Sequence, residues 1–201
     1  LGIQAQLILC CMRGAPDTQN AETLRLAREY LGKGVCAADL AGAEALFPTR
    51  SYAPLFAAVP GLPFTIHAGE AGDADDVKTA IHMGATRIGH GVRIAGNEEV
   101  MQLVKDTGVF LEMCPTSNRQ TKAVEEMSAY PLKTFLEKGL KVTLNTDDPA
   151  IERTTLSREF QYMESLLNLT EEQKKQLLLH SVEAAFTSKD RKQKLKEQLL
   201  F

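Results

Sequence analysis

The chain has 201 residues, of which 44% are hydrophobic and 24% are charged, as is ordinary for a globular protein with a sizeable core. Its formal net charge of -3 gives no electrostatic support for partners such as nucleic acid or an anionic membrane surface. No apolar run approaches the ~20 residues that a membrane-spanning helix needs. The four cysteines form no C-x-x-C pair, which favours a reducing compartment, so we expect a cytoplasmic protein.

Six short apolar runs with the composition of buried strands alternate with helical patterns along the chain. The strands are predicted at residues 6–12, 35–40, 64–66, 86–91, 109–113 and 141–144. Helices are predicted between them at 21–31, 52–58, 74–83, 98–106 and 131–139. Three more helices are predicted after the last strand, at 156–167, 171–185 and from residue 190 onward.

Strands that alternate with crossover helices pair in parallel, which predicts an α/β fold. The six units are two short of the eight that close a TIM-type (β/α)8 barrel. We therefore expect residues 1–201 to form a single domain, an incomplete barrel with additional C-terminal helices. The chain starts at Leu1 and enters a hydrophobic strand almost at once, which is typical of the middle of a longer polypeptide.

The segment 62–70, Leu-Pro-Phe-Thr-Ile-His-Ala-Gly-Glu, is the centre of the functional prediction. Its apolar part predicts a buried strand, with His67 at the end of the strand and Glu70 at the start of a loop. Ligand and catalytic groups of α/β proteins collect just past the carboxyl ends of parallel strands. His67 and Glu70 are therefore candidates for a site at that edge of the sheet.

Other strand ends also carry polar groups: Asp39 with Gly42, His90, the run 114–118, and Asp147 with Asp148. In a barrel these groups converge on one mouth. The imidazole of His67 and the carboxylate of Asp147 suit a borderline cation such as zinc. Glu70 is the acid or base candidate, because a partly dry pocket beside a metal is able to shift the titration of a carboxylate toward neutrality. Asp148, beside Asp147, would then address the substrate.

Taken singly, these residues also have structural interpretations. A histidine at a strand end or an Asp-Asp-Pro turn is more often structural than functional, and Asp39 is as well suited to bracing a loop. Cys114 is expected to be a small buried hydrophobic residue, and His82 and His180 are expected to pack or to lie on the surface. The shared position of the polar groups at strand ends is what favours a functional site.

Four motifs in this order and spacing resemble the adenosine deaminase family: His-Ala-Gly-Glu at 67–70, Ile-Gly-His-Gly at 88–91, Cys-Pro-Thr-Ser-Asn at 114–118 and Asn-Thr-Asp-Asp-Pro at 145–149. Asp-Leu-Ala-Gly at 39–42 resembles the substrate-binding loop of that family. The resemblance implies a zinc-containing eight-stranded barrel, of which this chain forms strands three to eight. It also implies the hydrolytic deamination of adenosine, or deoxyadenosine, to the corresponding inosine and ammonia.

Site residues follow from the resemblance motif by motif. His67 and Asp147 would bind zinc, Glu70 would protonate purine N1, and His90 would orient the attacking hydroxide. The side chain of Asp148 would hydrogen-bond N7, and the Gly42 backbone would approach N3. The expected partner is therefore a small purine nucleoside.

Two departures from the family pattern qualify this prediction. The family loop usually reads Gly-Asp-Glu, whereas Gly42 is followed by Ala43 and Glu44, so a deaminase of adenine or another 6-aminopurine stays an alternative. The family takes two further zinc ligands from a His-x-His pair, which this sequence lacks. We therefore expect those ligands from a complementary N-terminal segment, without which the chain would be inactive. A non-catalytic fragment is the remaining alternative.

Overall fold

A computed structural model describes residues 3–199. All six strands pair in parallel in chain order, so that each lies beside its sequence neighbours. They are β1 (Leu7–Met12), β2 (Val35–Ala41), β3 (Phe64–Ala68), β4 (Ala85–His90), β5 (Phe110–Met113) and β6 (Lys141–Leu144). This order confirms a partial (β/α)8 barrel, because consecutive parallel strands with helical crossovers are the repeating unit of that fold.

Ten helices accompany the strands within the described residues. They are α1 (Asp17–Glu29), α2 (Ala53–Ala57), α3 (Ala74–His82), α4 (Glu98–Thr107), α5 (Pro115–Gln120), α6 (Leu132–Glu137), α7 (Pro149–Glu152), α8 (Leu156–Leu167), α9 (Glu171–Ala184) and α10 (Lys189–Leu199). None of these helices is long and apolar enough to cross a membrane. The cytoplasmic location and the assignment of residues 1–201 to one domain stay predictions.

The helix boundaries follow local sequence signals. The Asp73 side chain accepts hydrogen bonds from the first amides of α3, and Asn97 does the same for α4. Thr170 and Gln173 form a reciprocal capping box at the start of α9. Two short helices, α5 and α7, were not predicted; each begins with a proline that is itself part of a strand-end motif.

The two faces of the sheet differ in polarity. The adjacent residues Ile66, Ile88, Leu111 and Val142 are fully buried, and they belong to one hydrophobic cluster with the helices. On the opposite face Arg87 forms an ion pair of 2.7 Å with Glu112. Glu112 also accepts a hydrogen bond of 2.5 Å from the Thr65 hydroxyl. The inner face of this barrel is therefore polar, which supplies charged groups next to the strand ends.

The two outer strands are each paired on one side only within the described residues, since β1 pairs with β2 and β6 pairs with β5. On β1 the side chains of Leu7 and Met12 are 63% and 45% exposed. Unpaired backbone groups and exposed apolar side chains at a sheet edge favour pairing with another strand. The gap in the barrel lies between β1 and β6.

Gly69, just after β3, packs closely against α3. Its φ is +71°, and an added Cβ would lie 2.6 Å from the Val77 Cγ2 atom on α3, whereas Gly84 has φ +95° and nothing within 4 Å of that position. We expect Gly84→Ala to cost about 1–2 kcal/mol of unfolding free energy, through backbone strain alone. Gly69→Ala should cost roughly twice as much, because steric overlap is added. Urea unfolding of both variants measures the difference; equal costs would contradict the packing described.

Candidate functional site

Three strand ends bring possible metal ligands together at the mouth of the barrel. His67, His90 and Asp147 each offer one ligand atom, and the three atoms lie within 4.8 Å of one another. A cavity of about 450 Å³ is lined by these three residues and, among others, by Asp39 and Glu112. The structure thus places together the two predicted metal ligands, His67 and Asp147, and adds His90 to the same cluster.

Asp39 at the end of β2 orients the first of these histidines. One carboxylate oxygen of Asp39 lies 2.9 Å from His67 Nδ1 and the other lies 3.1 Å from it. Burial disfavours the His67 imidazolium, but the Asp39 carboxylate, together with those of Glu112 and Asp147, outweighs burial and raises the pKa of His67 to about 9. A cation bound at Nε2 would displace the proton that the imidazolium carries there, while Nδ1–H stays hydrogen-bonded to the carboxylate, a common arrangement at metal sites.

His90 and Asp147 both hold a strained backbone. Their φ angles are +65° and +59°, in the left-handed region that non-glycine residues rarely adopt. Asp147 is further held by Ser117, whose hydroxyl donates a hydrogen bond of 2.8 Å to Oδ2. Such strain at a cluster of polar side chains is characteristic of functional sites, where the surrounding structure enforces the orientation of the side chain.

Buried polar groups surround His90. Its side chain is 2% exposed, and burial lowers its pKa, which favours the neutral ring. His90 Nδ1 lies 3.0 Å from the side-chain nitrogen of Asn118, and Nε2 lies 3.5 Å from Glu70. The second Glu70 oxygen accepts hydrogen bonds from Asn118 at 3.3 Å and from Thr121 at 3.0 Å. The predicted acid and the predicted orienting histidine are therefore neighbours.

Glu44 is a site residue whose role the sequence interpretation missed. Its buried carboxylate accepts hydrogen bonds from the backbone N–H groups of Gly69, Glu70, Ala71 and Gly72, at 2.6, 3.1, 2.9 and 2.8 Å. These bonds tie the loop that carries Glu70 to the end of β2. The available signal was the glycine-rich loop 69–72, whose backbone amides are able to surround an anion.

A second buried carboxylate, Glu159 on α8, was also missed. It accepts hydrogen bonds from the backbone N–H and the hydroxyl of Thr116, at 3.1 and 2.5 Å, and from the hydroxyl of Thr154. The N-terminus of α5 is thereby fixed to the C-terminal helices. Asn118 and Ser117, which contact Glu70 and Asp147, lie on this same helix.

The two predicted substrate-binding residues lie outside the lining of the cavity. Gly42 is exposed with φ +109°, and a Cβ there would lie 3.3 Å from the Arg13 backbone nitrogen. Asp148 is exposed at the start of α7, next to Asp147. Their roles toward a purine stay predictions, as do all the residue roles given above.

The remaining residues singled out in the sequence have ordinary surroundings. Cys114 is 6% exposed, and burial raises the pKa of its thiol well above its usual value, as expected of a packed cysteine. His82 is exposed on α3, and His180 Nδ1 contacts the Val142 backbone. Neither histidine joins the cluster at the strand ends.

The donor set suits a divalent transition metal. Imidazole nitrogen and carboxylate oxygen are typical zinc ligands, and His67 has the oriented ring and the carboxylate partner that metal-binding histidines commonly show. The ligand atoms of His67, His90 and Asp147 are close enough to face one ion. The residues present therefore fit a metal, and zinc is the ion that this donor chemistry favours.

Comparisons with known proteins agree with the geometry. The sequence profile of the family described as "Adenosine deaminase" matches residues 1–200. An adenosine deaminase from Haemophilus ducreyi is 48% identical over 198 residues, which cover 96% of this chain and 58% of the relative. One from Clostridium botulinum (strain Okra) is 43% identical over 197 residues, covering 96% and 59%. The crystal structure of an adenine deaminase from Arthrobacter aurescens has a TM-score of 0.90 at 27% identity, covering 99% of this chain and 62% of that chain.

The contribution of the Glu44 carboxylate is directly testable. Gln at position 44 keeps the size of the side chain but removes the charge and turns one acceptor into a donor that faces backbone N–H groups. We expect Glu44→Gln to lower the unfolding free energy by roughly 2–3 kcal/mol and to speed hydrogen exchange at amides 69–72.

Glu125→Gln, at an exposed position, is the matched control and should change neither quantity. Urea unfolding and amide exchange followed by NMR supply both measurements. Unchanged protection of amides 69–72 in Glu44→Gln would show that these hydrogen bonds do not hold the loop.

Proposed function

The chain belongs to the adenosine deaminase family, and on this premise we propose that it forms the main part of a zinc-dependent enzyme that hydrolyses adenosine or deoxyadenosine at C6. It spans about three fifths of the length of the curated relatives it matches, so the activity of the whole protein is part of the proposal. The observation that supports it is the cluster of His67, His90 and Asp147 at the strand ends, with Glu70 against His90.

The proposed reaction replaces the C6–N bond of the purine by a C6–O bond, with water as the oxygen source and ammonia as the leaving product. His67 and Asp147 would hold the zinc, which when bound would supply a Lewis acid that makes water nucleophilic near neutral pH. Glu70 donates a proton to ring nitrogen N1, which makes C6 electrophilic and is worth ~10²–10⁴-fold in rate. His90 donates a hydrogen bond where charge develops at C6.

Substrate orientation is assigned to the exposed pair at the rim. Asp148 is proposed to hydrogen-bond N7 and the Gly42 backbone to approach N3. Both aspartates are exposed, but Asp147 lines the cavity and is held there by the Ser117 hydroxyl, whereas Asp148 lies outside the lining at the start of α7. Adjacent carboxylates with different surroundings are suited to separate roles, one toward the metal and one toward the substrate.

We propose that one complementary segment supplies both the missing metal ligands and the missing strands of the barrel. Catalytic zinc usually has three protein ligands, and His67 and Asp147 are two. Strands β1 and β6 are each paired on one side only among the described residues. We infer that a complementary segment pairs with these edges and contributes further histidine ligands, so that the 201-residue chain alone shows little turnover.

A second candidate substrate is adenine or another 6-aminopurine. Ala43 stands where the family loop usually has a carboxylate, which removes a charged group beside the proposed purine edge. The likeness to the adenine deaminase of Arthrobacter aurescens, at 27% identity, supports the same alternative. Ammonia release from adenosine, deoxyadenosine and adenine under equal conditions separates these possibilities.

The proposal predicts activity on complementation. The chain is coexpressed with the part of the Haemophilus ducreyi adenosine deaminase that the match does not cover, and zinc content and ammonia release are measured on the purified complex. We expect zinc near one ion per complex and adenosine turnover, and the chain alone should have little of either. A stable complex that holds zinc but releases no ammonia from any 6-aminopurine would leave the non-catalytic alternative.

Within that complex, Glu70→Gln should reduce kcat by ~10²–10⁴-fold, because a neutral amide does not protonate N1. Zinc content should be unchanged, since Glu70 is not a proposed ligand. Glu137→Gln, on the exposed side of α6, serves as the control with the same chemical change. Full activity of Glu70→Gln would remove this residue from the mechanism.

A further inference from the structure

Asn118 is the centre of a buried hydrogen-bond network beside the candidate metal cluster. Its side chain is fully buried, and its carboxamide has three partners. The Tyr130 hydroxyl donates to Oδ1 at 2.8 Å, and Nδ2 lies 3.0 Å from His90 Nδ1 and 3.3 Å from Glu70 Oε1. All three contacts have hydrogen-bond length, so both amide hydrogens and the oxygen are used.

The amide can satisfy these partners in only one orientation. Rotation by 180° would turn Oδ1 toward Glu70 Oε1, which already accepts a hydrogen bond from the Thr121 hydroxyl, so that two acceptors would face each other. It would also turn Nδ2 toward Tyr130. The Tyr130 side chain is 2% exposed, and burial raises its pKa well above its usual value, so the phenol keeps its proton as a donor. Tyr130 and Glu70 therefore select the orientation in which Nδ2 faces His90.

An amide nitrogen that donates to His90 Nδ1 fixes the tautomer of the imidazole. In a neutral ring the nitrogen that accepts a hydrogen bond carries no hydrogen, so the hydrogen lies on Nε2. The other side of the ring favours the same tautomer. His90 Nε2 lies 3.5 Å from Glu70 Oε2 and 3.8 Å from Asp147 Oδ2. While Glu70 is ionised, before it takes up the proton that it gives to N1, both oxygens attract an N–H and repel a lone pair.

We propose that Tyr130 and Asn118 are positioning residues that hold His90 as the Nε2–H tautomer, so that His90 presents a hydrogen-bond donor to the site. The consequence for catalysis rests on the proposed function, whereas the tautomer itself does not. Tyr130 is not one of the possible metal ligands. Its hydroxyl is hydrogen-bonded to Asn118, and the Asn118 carboxamide in turn contacts His90.

The tautomer also decides whether His90 is a metal ligand or a hydrogen-bond donor, which the distances alone do not. The ligand atom of His90 is close enough to those of His67 and Asp147 to serve as a third metal ligand. A ring nitrogen that carries a hydrogen has no lone pair in the ring plane for a metal. With the hydrogen on Nε2, His90 is a donor toward substrate or water, and the ligand positions go to other residues.

The test measures which ring nitrogen of His90 carries the hydrogen. The metal-free chain is labelled with ¹⁵N-histidine and studied by long-range ¹H–¹⁵N NMR near pH 8, with a chelator present. The sequence has four histidines, so His90→Gln identifies the resonance of His90 by its loss. We expect the wild-type His90 ring to be almost entirely Nε2–H.

Tyr130→Phe removes one hydroxyl, and we expect the tautomer ratio to shift toward Nδ1–H by about tenfold, which is roughly what one hydrogen bond contributes. Tyr52→Phe is the matched control, because the Tyr52 side chain is 6% exposed and its hydroxyl accepts a hydrogen bond from the Gly14 N–H, away from His90. The control should leave the His90 signals unchanged.

Asn118→Asp replaces the amide N–H donor by a carboxylate oxygen acceptor in a side chain of the same size. An aspartate has no N–H to donate, so His90 Nδ1 becomes the donor and the tautomer should invert. A wild-type His90 that is mainly Nδ1–H would overturn the proposal even if every variant failed to fold. Equal His90 spectra for Tyr130→Phe and Tyr52→Phe would show that Tyr130 does not set the tautomer of His90.

Kinetics on the complemented enzyme then test the consequence. We expect Tyr130→Phe to lower kcat severalfold with little change in KM or zinc content, because the donor matters most as charge develops at C6. Tyr52→Phe should change none of these. If no purine is deaminated, the NMR result still decides the tautomer, so failure of the proposed function and failure of this inference remain distinguishable.

Discussion

The site depends on the buried carboxylate of Glu44. Four backbone N–H groups of residues 69–72 converge on it, so the loop that carries Glu70 is held to the end of β2. An added Cβ at Gly72 would lie 2.6 Å from Glu44 Oε1, and one at Gly69 would meet Val77, so the missing side chains at both places leave room for this close approach. A buried anion with four charge-assisted hydrogen bonds fixes a loop more firmly than exposed turn contacts do.

A second constraint acts through the backbone of the site residues themselves. His90 and Asp147 are held with positive φ, a conformation that costs of order 1–2 kcal/mol for a residue with a Cβ. Ser117 and Asn118 hold the two side chains on the mouth side, and Glu159 anchors the helix that carries both. The strain is thus maintained by hydrogen bonds that lead away from the cluster into the fold.

Much of this architecture was predictable because its signals are local. Strand-ending motifs placed His67 and Asp147 at one edge, and this needed only the rule that parallel strands share a carboxyl edge. The end of β3 was predicted two residues short, because His67 and Ala68 interrupt the apolar run that marks a strand. Glu44 and Tyr130 were missed because their partners lie 25 to 28 and 12 residues away, and contacts of that kind leave no periodic pattern.

Each side chain of the candidate metal site is oriented by a different hydrogen-bond partner. Asp39 fixes His67, Asn118 fixes His90 and Ser117 fixes Asp147, all within the six strands and their helices. Each side chain of the cluster is therefore oriented before any metal is present, and a bound ion would have little reorganisation to drive. Among the described residues β1 and β6 are each paired on one side only, which affects the closure of the barrel. The hydrogen bonds that orient His67, His90 and Asp147 all lie on the β2 to β6 side.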